Sequence, residues 1–348
     1  MKARARCPTK TASPTRTPRT CAACRPGSST GGKRLPEAHC PKLLRKEALM
    51  TEVGFVGLGT MGAPMARNVL KAGFGLTVFD LNPASVAKLV DAGARAAASP
   101  REVAERSNVV ITMLPDAPDV EKAVLGEDGI GRGLKSGSLY IDMSTIDPQT
   151  TQRVGAWLAA RGVDMIDSPV GKTVEHAIAG TSTLMIGGDA AVLERARPIL
   201  SAMGTDLIRC GALGMGQAMK LTNNLLASVL ITASSEALVA GAKAGLTLDT
   251  MINVLKTTMA WNQQLAVAMH NRALKGDFEP GFMVKLAHKD CRLALAMNEA
   301  LGLEAPVGAA TLAVLAETMD AGMAGKDVGA VLKLREDAAG VRVRLAST

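Results

Sequence analysis

The sequence predicts an α/β domain followed by an all-α domain, with one long helix running between them. Three observations support this fold class. Short apolar segments alternate with helical patterns from residue 51 to about residue 210, as in a mostly parallel sheet covered by helices. A glycine-rich stretch then interrupts the alternation, and the pattern after it is mainly helical. The 348 residues are sufficient for two domains that each bury a core.

The N-terminal segment differs in composition from the rest of the chain. The first fifty residues hold 12 Lys or Arg and two acidic residues, so +10 of charge lies here and the total of +8 leaves −2 for the body. Nucleic-acid binding through this segment is an alternative function, but 2% aromatic residues and a nearly neutral body argue against it. We expect residues 1–49 to be a disordered or mis-assigned extension ahead of Met50.

The cysteines and histidines indicate neither a disulfide framework nor a metal site. Cys21 and Cys24 form a C-x-x-C without a second ligand pair, so zinc binding is weakly supported. The body has only Cys210 and Cys291, which suits a reducing cytoplasm. His270 and His288 lack ligand spacing, and we predict no metal. No uninterrupted apolar run approaches the length of a membrane span, so we expect a cytoplasmic protein without a membrane partner.

The first predicted strand leads into a glycine motif. Val53–Val56 is apolar, and GLGTMG (residues 57–62) follows it at once. A helical pattern comes next, and the second strand, Leu76–Phe79, ends at Asp80, 18 positions after the last glycine. A G-x-G-x-x-G between strand and helix, with an acidic residue at this distance, is the fingerprint of a Rossmann dinucleotide site.

Each position of this motif has a physical reason. Gly57 permits the tight turn, Gly59 lets a pyrophosphate approach the backbone, and Gly62 lets the helix pack closely on the strand. The phosphates are held by the amides and dipole at the helix N-terminus. Asp80 can accept both ribose hydroxyls and would repel a 2′-phosphate, and no arginine follows in Leu81-Asn82-Pro83. NAD(H) is therefore expected in preference to NADP(H).

Apolar strands continue the alternation. The further predicted strands are Val109–Leu114, Leu139–Met143, Asp164–Ile166, Leu184–Ile186 and Leu207–Arg209. Ligands bind at the carboxyl ends of strands in such sheets, so Leu114, Pro115 and Thr145 are expected on the nicotinamide side. We assign residues 50–213 to an NAD-binding domain and residues 214–348 to an all-α domain for substrate binding and oligomerisation.

The stretch DSPVGKTVEHAIAG, residues 167–180, contains a lysine that needs an explanation. Its GKT looks like the end of a phosphate-binding P-loop, but that loop needs a glycine five positions before Gly171, where Ile166 stands. A nucleoside triphosphate site is therefore excluded. Lys172 is then either a solvated loop residue or a positive charge that binds an anion other than a nucleoside triphosphate.

The long helical pattern of the second half, residues 217–245, carries the catalytic candidates. Lys220 and Asn224 are four positions apart and share a face, with Asn223 beside them. A lysine at the junction of the domains can donate a proton to a carbonyl oxygen as hydride reaches its carbon, and burial would lower its pKa. An ordinary surface lysine is the alternative. Further helical segments are expected at roughly 248–258, 261–274, 283–301 and 307–321.

Six motifs, in order across almost all of residues 50–348, resemble the β-hydroxyacid dehydrogenase family. They are GFVGLGTMGAPMA, MLPD, IDMST, DSPVG, GxxGxGxxxKLxNN and AHKD. The resemblance implies an NAD-dependent dehydrogenase or aldehyde reductase with Lys220 as acid/base, Asn224 as its companion and Lys289 near cofactor and substrate. It also implies a homodimer or homotetramer formed largely through the α-domains. Some relatives are binding proteins that have lost the catalytic lysine, whereas Lys220 is retained.

The GKT residues depart from the family pattern. Typical members have Ser-Gly-Gly where Gly171, Lys172 and Thr173 stand, and the resembling 3-sulfolactaldehyde reductase branch has Gly-Arg-Thr. That branch implies NADH-dependent reduction of a short aldehyde with an acidic group, such as 3-sulfolactaldehyde or succinic semialdehyde. A carboxylate substrate, as for 3-hydroxyisobutyrate dehydrogenase or tartronate semialdehyde reductase, is the alternative. Lysine is a point charge and lacks the fork of arginine, so the identity of the anion stays open.

The same resemblance implies two sets of contacts. The implied cofactor contacts are Thr60, Met61, Asp80, Leu114 and Thr145. The implied substrate contacts are Lys172, Asn223 and Asn224, with Gly171 and Thr173 in the same loop. The expected partner is thus a small anionic aldehyde or hydroxy acid.

Overall fold

A nine-stranded, mostly parallel sheet forms the first half of the described chain. The structure is a computed structural model that describes residues 51–345, so our expectations for residues 1–49 and for Cys21 and Cys24 lie outside the described part. The sheet order is β3-β2-β1-β4-β5-β6-β8-β7, with β9 paired to β8. The strands are β1 (Glu52–Val56), β2 (Gly75–Phe79), β3 (Arg95–Ala96), β4 (Val109–Thr112), β5 (Leu139–Asp142), β6 (Asp164–Asp167), β7 (Val170–Gly171), β8 (Ser182–Gly187) and β9 (Gly204–Gly211).

Strand direction changes at one side of this sheet. Strands β1 to β6 pair in parallel, whereas β8 is antiparallel to both β6 and β7 and parallel to β9. The helices of this half are α1 (Gly62–Lys71), α2 (Pro83–Val90), α3 (Pro100–Glu105), α4 (Ala117–Leu125), α5 (Ile130–Gly133), α6 (Pro148–Ala159), α7 (Val174–Ala179) and α8 (Ala190–Leu200).

Two apolar clusters cover the two faces of the sheet. Phe55 and Ile111 belong to one cluster, while their strand neighbours Val56 and Val110 belong to the other. Successive side chains of a strand point to opposite faces, which produces this division. Because both faces are buried, the strands read as continuous apolar runs.

The structure corrects some strand ends. The predicted strand Val109–Leu114 ends at Thr112, because the Leu114 N–H donates to the Ser144 hydroxyl at 2.9 Å and leaves the ladder. Strands β3 and β7 were not predicted, since two residues are too few to show a periodicity.

The second half is helical, and the predicted fold class is confirmed. Its α-helices are α9 (Met215–Lys243), α10 (Leu248–Leu255), α11 (Val284–Ala300), α12 (Pro306–Thr318) and α13 (Ala330–Ala339). The predicted helix 261–274 is instead a π-helical segment, Gln264–Met269, and a short 3₁₀ turn, Ala273–Lys275. The predicted helix 307–321 ends early in a π-helical turn with Gly322 at φ 80°, and α13 was missed.

Helix α9 is the one described helix that is long and apolar enough to be compared with a membrane span. By length and composition this helix could cross a bilayer, although no uninterrupted apolar run revealed it. It packs on β8, α11 and α13 and buries polar residues, among them Lys220 and Asn224. The core helix of a soluble protein passes the same test, so α9 is weak evidence for a membrane segment.

Candidate active site

The turn between β1 and α1 has the shape of a dinucleotide-binding loop. Gly57 has φ 97°, and a Cβ on it would lie 2.3 Å from the Met113 carbonyl oxygen. A Cβ on Gly62 would lie 2.0 Å from the Gly57 carbonyl oxygen, so both positions need glycine. A Cβ on Gly59 would meet nothing within 4 Å, which leaves that backbone open to a ligand. Thr60 is exposed and Met61 is half-buried beside this opening.

Asp80 is fixed against this turn. Its Oδ2 accepts a hydrogen bond from the Leu58 N–H at 2.5 Å, and its Oδ1 accepts one from the Asn82 N–H at 2.7 Å. A carboxylate has about four lone-pair sites, so each oxygen can still accept a ribose hydroxyl. The residues present therefore fit a nicotinamide dinucleotide, with the phosphates at the start of α1 and the ribose at Asp80.

Lys289 of α11 joins the carboxyl ends of β4 and β5. Its ammonium donates to the carbonyl oxygens of Pro115 at 2.9 Å and Thr145 at 2.7 Å. Half-buried Leu114 precedes Pro115, and the Leu114 N–H donates to the Ser144 hydroxyl. The structure thus brings together Leu114, Pro115, Thr145 and Lys289, which come from three separate elements.

Lys220 of α9 is buried beside the segment that contains GKT. The residue is 9% exposed, and Nζ donates to the Val170 carbonyl oxygen of β7 at 2.7 Å. Burial lowers the pKa of Lys220; the Lys289 charge adds to this effect, and the Asp290 carboxylate opposes it. A buried amine with a lowered pKa can exchange a proton near neutral pH more readily than a surface lysine.

Asp290 holds the second catalytic candidate in place. The Asn224 Nδ2 donates to Asp290 Oδ2 at 2.6 Å, and the Asn223 Nδ2 donates to Asn224 Oδ1 at 2.9 Å. The other oxygen, Asp290 Oδ1, faces the Lys289 ammonium at 3.3 Å. Sequence reasoning assigned no role to Asp290. An acidic residue among the buried Ala287, Cys291 and Ala294 of one helix is the signal that could have identified it.

A second carboxylate, Asp167 at the end of β6, fixes the start of α9. Its Oδ1 accepts from the Gly214 N–H and its Oδ2 from the Gln217 N–H, both at 2.7 Å. The Gln217 side chain then accepts from the Ile146 N–H at 3.2 Å and donates to the Ser144 carbonyl oxygen at 2.8 Å. These bonds tie the helix that bears Lys220 to the carboxyl edge of the sheet. Neither Asp167 nor Gln217 was selected from the sequence.

Lys172 occupies an unusual backbone position. It is the one non-glycine residue of the described chain with positive φ, at 74°, where a lysine costs about 1–2 kcal/mol relative to the right-handed conformation. Its ammonium donates to Asp206 Oδ2 at 2.7 Å and to the Thr181 carbonyl oxygen at 2.9 Å. Both bonds lie on the β8–β9 side, so the structure does not join Lys172 to the Lys220 and Asn224 cluster.

The two neighbours of Lys172 have different surroundings. Gly171 is buried in β7, and Thr173 is exposed with its hydroxyl 2.9 Å from His176 Nδ1. Within residues 51–345, no three His, Cys, Asp or Glu side chains are grouped so that they could hold a metal ion.

Known proteins match the whole of this architecture. Residues 52–214 match the family described as the NAD binding domain of 6-phosphogluconate dehydrogenase, and residues 214–335 match the NAD-binding family of NADP-dependent 3-hydroxyisobutyrate dehydrogenase. The chain is 41% identical over 296 residues to the 3-sulfolactaldehyde reductase of Escherichia coli (strain K12), which covers 85% of this chain and 99% of that protein. The chain belongs to the β-hydroxyacid dehydrogenase family.

Two further proteins relate this β-hydroxyacid dehydrogenase to known activities. The 3-hydroxyisobutyrate dehydrogenase of Pseudomonas aeruginosa is 39% identical over 293 residues, which cover 82% of this chain and 98% of that protein. The solved 3-hydroxyisobutyrate dehydrogenase of Mycobacterium tuberculosis with L-serine has a TM-score of 0.76 at 33% identity, covering 82% of this chain and 98% of that chain. The β-hydroxyacid dehydrogenase is therefore an NAD-dependent oxidoreductase that acts on CH–OH groups, as the sequence predicts.

Proposed function

We propose that this β-hydroxyacid dehydrogenase reversibly reduces a short aldehyde with an acidic group, such as 3-sulfolactaldehyde or succinic semialdehyde, with NADH. The observation that carries the proposal is the buried Lys220 ammonium, which donates to the Val170 carbonyl oxygen at 2.7 Å. Val170 precedes the cationic Lys172 by two residues. Lys220 thus supplies acid/base chemistry at β7, and the next loop carries a positive charge whose ammonium now faces Asp206. The 41% identical relative named 3-sulfolactaldehyde reductase supports the same substrate class.

The chain's own residues divide the chemistry among them. A bound nicotinamide supplies the hydride in reduction and accepts it in oxidation. Lys220 donates a proton to the carbonyl oxygen of the aldehyde, and in the reverse direction its neutral amine takes that proton back. Asn224 is held by Asp290 and keeps one N–H for the substrate oxygen, since an amide nitrogen carries two donors.

The assembly and location form part of this proposal. Residues 50–213 would bind NAD(H), while residues 214–348 would complete the substrate site and form a cytoplasmic homodimer or homotetramer. Gly171, Thr173 and Asn223 would line the substrate beside Lys172. Lys220 bonds the Val170 carbonyl oxygen, and Lys289 bonds those of Pro115 and Thr145, so both lysines of the helical half contact the first half, which supports a site between the two.

Replacing Asp80 with alanine is expected to erode the preference for NADH over NADPH. The carboxylate offers charge-assisted hydrogen bonds to the ribose hydroxyls, and each such bond contributes about 1.5–3 kcal/mol. The ratio of kcat/KM values for NADH and NADPH should fall on the order of tenfold to a hundredfold. Asp91→Ala removes an exposed carboxylate at the end of α2 and should leave the ratio unchanged. Equal use of both cofactors by the native enzyme would contradict the assignment.

A substrate panel tests the proposed function itself. We expect acidic aldehydes to be reduced with at least about tenfold higher kcat/KM than an uncharged aldehyde of similar size, since a charge-assisted contact contributes this much. Steady-state kinetics with NADH would compare 3-sulfolactaldehyde with succinic, tartronate and methylmalonate semialdehydes. A preference for any of the three semialdehydes over 3-sulfolactaldehyde identifies a carboxylate substrate, and equal rates for charged and uncharged aldehydes would remove the acidic group from the proposal.

A further inference from the structure

Asp206 collects hydrogen-bond donors around one oxygen. Its Oδ2 accepts from the Lys172 ammonium at 2.7 Å, from the Thr205 hydroxyl at 3.2 Å and from the Thr183 hydroxyl at 3.3 Å. Hydrogen bonding and attraction from Lys172 are the largest influences, and they lower the pKa of the Asp206 carboxyl. Asp206 is therefore ionised at neutral pH and is a fixed anion at the edge of the β8–β9 pair.

The Lys172 ammonium can leave this anion. The side chains of Lys172 and Asp206 are 34% and 49% exposed, and ion pairs this exposed to water are weak. Lysine carries its charge on a flexible four-carbon stem. The ammonium can therefore exchange between Asp206 and another anion nearby without any rearrangement of the backbone.

The catalytic candidate lies close to this pair along the chain. Val170, whose carbonyl oxygen binds the Lys220 ammonium, precedes Lys172 by two residues. Two residues of extended chain span at most about 7 Å. The Lys172 ammonium now faces the β8–β9 side, so a substrate of a few carbon atoms with its carbonyl group at Lys220 meets it once the Lys172 side chain turns away from Asp206.

We propose that Asp206 is a specificity-determining counter-ion that competes with the substrate's acidic group for the Lys172 ammonium. This inference rests on the proposed function, because it needs an acidic substrate. Asp206 offers Lys172 the same kind of group that the substrate carries, so an anion must displace it in order to bind. The pair weakens binding of every acidic substrate and leaves an uncharged aldehyde unaffected.

Asp206→Asn tests the competition. We expect KM for the preferred acidic aldehyde to fall about two- to fivefold, the range of an exposed ion pair, with kcat unchanged. KM for an uncharged aldehyde of similar size should stay the same. In the double variant Asp206→Asn, Lys172→Ala this fall in KM should be absent, because no Lys172 ammonium is left for Asp206 to compete for. The matched control is Asp164→Asn. It breaks the comparably exposed ion pair between Asp164, the first residue of β6, and Arg195.

The outcomes separate this inference from the function on which it rests. If Lys172→Ala raises KM for the acidic aldehyde while Asp206→Asn leaves it unchanged or raises it, the counter-ion role is overturned and the proposed function stands. If Lys172→Ala leaves kcat/KM for charged and uncharged aldehydes unchanged, Lys172 binds no substrate anion and the counter-ion role is overturned, while the substrate panel with the native enzyme decides the proposed function separately. An equal fall of KM for charged and uncharged aldehydes in Asp206→Asn also overturns the competition.

Discussion

Replacing Lys220 with alanine is expected to lower kcat by roughly 10²–10⁴, the usual scale of general acid–base catalysis. The physical reason is the loss of the buried ammonium that would protonate the substrate's carbonyl oxygen. Binding of NADH, measured by fluorescence titration, should be unchanged, because the dinucleotide is assigned to Asp80 and the Gly57–Gly62 turn in our proposal and not to Lys220. Lys243→Ala, at the other end of the same helix, is the control and should retain native kcat. Near-native turnover in Lys220→Ala would contradict the catalytic role.

The pH dependence should have opposite signs in the two directions. Burial lowers the pKa of Lys220, so the ammonium deprotonates at a lower pH than an ordinary lysine. With Lys220 as the proposed acid, aldehyde reduction needs the protonated form and should be lost as pH rises through this pKa. Alcohol oxidation needs the neutral amine and should increase over the same interval. Profiles of kcat/KM against pH in both directions measure this. The variant Lys220→Arg stays protonated, so its alcohol oxidation should remain low at every pH in the profile.

Removing the buried carboxylate of Asp167 is expected to have the second largest effect, on stability. Asp167→Ala leaves the N–H groups of Gly214 and Gln217 without acceptors, and each buried unsatisfied group costs about 1–3 kcal/mol. The free energy of unfolding should fall by about 2–6 kcal/mol in denaturant titrations. Asp167→Asn keeps one acceptor oxygen and should lose about half as much. The kcat should also fall, because Asp167 positions the first turn of the helix that carries Lys220.

Asp189 provides a matched control for this experiment. Its carboxylate also accepts from two backbone N–H groups, those of Ala191 and Val192 at the start of α8, but it is exposed to solvent. Asp189→Ala should cost only about 0.5–2 kcal/mol, the usual range for an N-terminal cap. Equal losses in the two variants would show that burial is not the reason for the effect at Asp167.

The stability of the native protein should also depend on pH through Asp167. Burial raises the pKa of this carboxyl to about 6, and the adjacent Asp142 carboxylate adds to the rise. The unfolded value is about 3.9, so the folded state binds the proton more tightly. The stability that protonation contributes is present at low pH and is lost as pH rises towards 6. Unfolding titrations from pH 4 to 8 should show this fall in the native protein and a smaller one in Asp167→Ala.

Sequence patterns were sufficient wherever the physical cause is local. The turn at Gly57 and Gly62 follows from the backbone angle and close packing that only glycine permits, and both constraints are encoded within a few residues. Lys220 and Asn224 share a face because a helix returns to the same direction every three to four residues. The resemblance to a known family added the expectation that Lys289 lies near cofactor and substrate, which no local pattern reveals.

The contacts that assemble the candidate site were decided only by the tertiary structure. Lys289 bonds carbonyl oxygens 144 and 174 positions away, and Asn224 meets Asp290 across 66 positions. Lys172 shows most clearly what the sequence does not determine. Its charge and its position in the loop can be read from the sequence, but the direction in which its side chain points cannot. The pairing of β8 with β9 places Asp206 beside Thr183, and the Lys172 ammonium donates to its carboxylate at 2.7 Å.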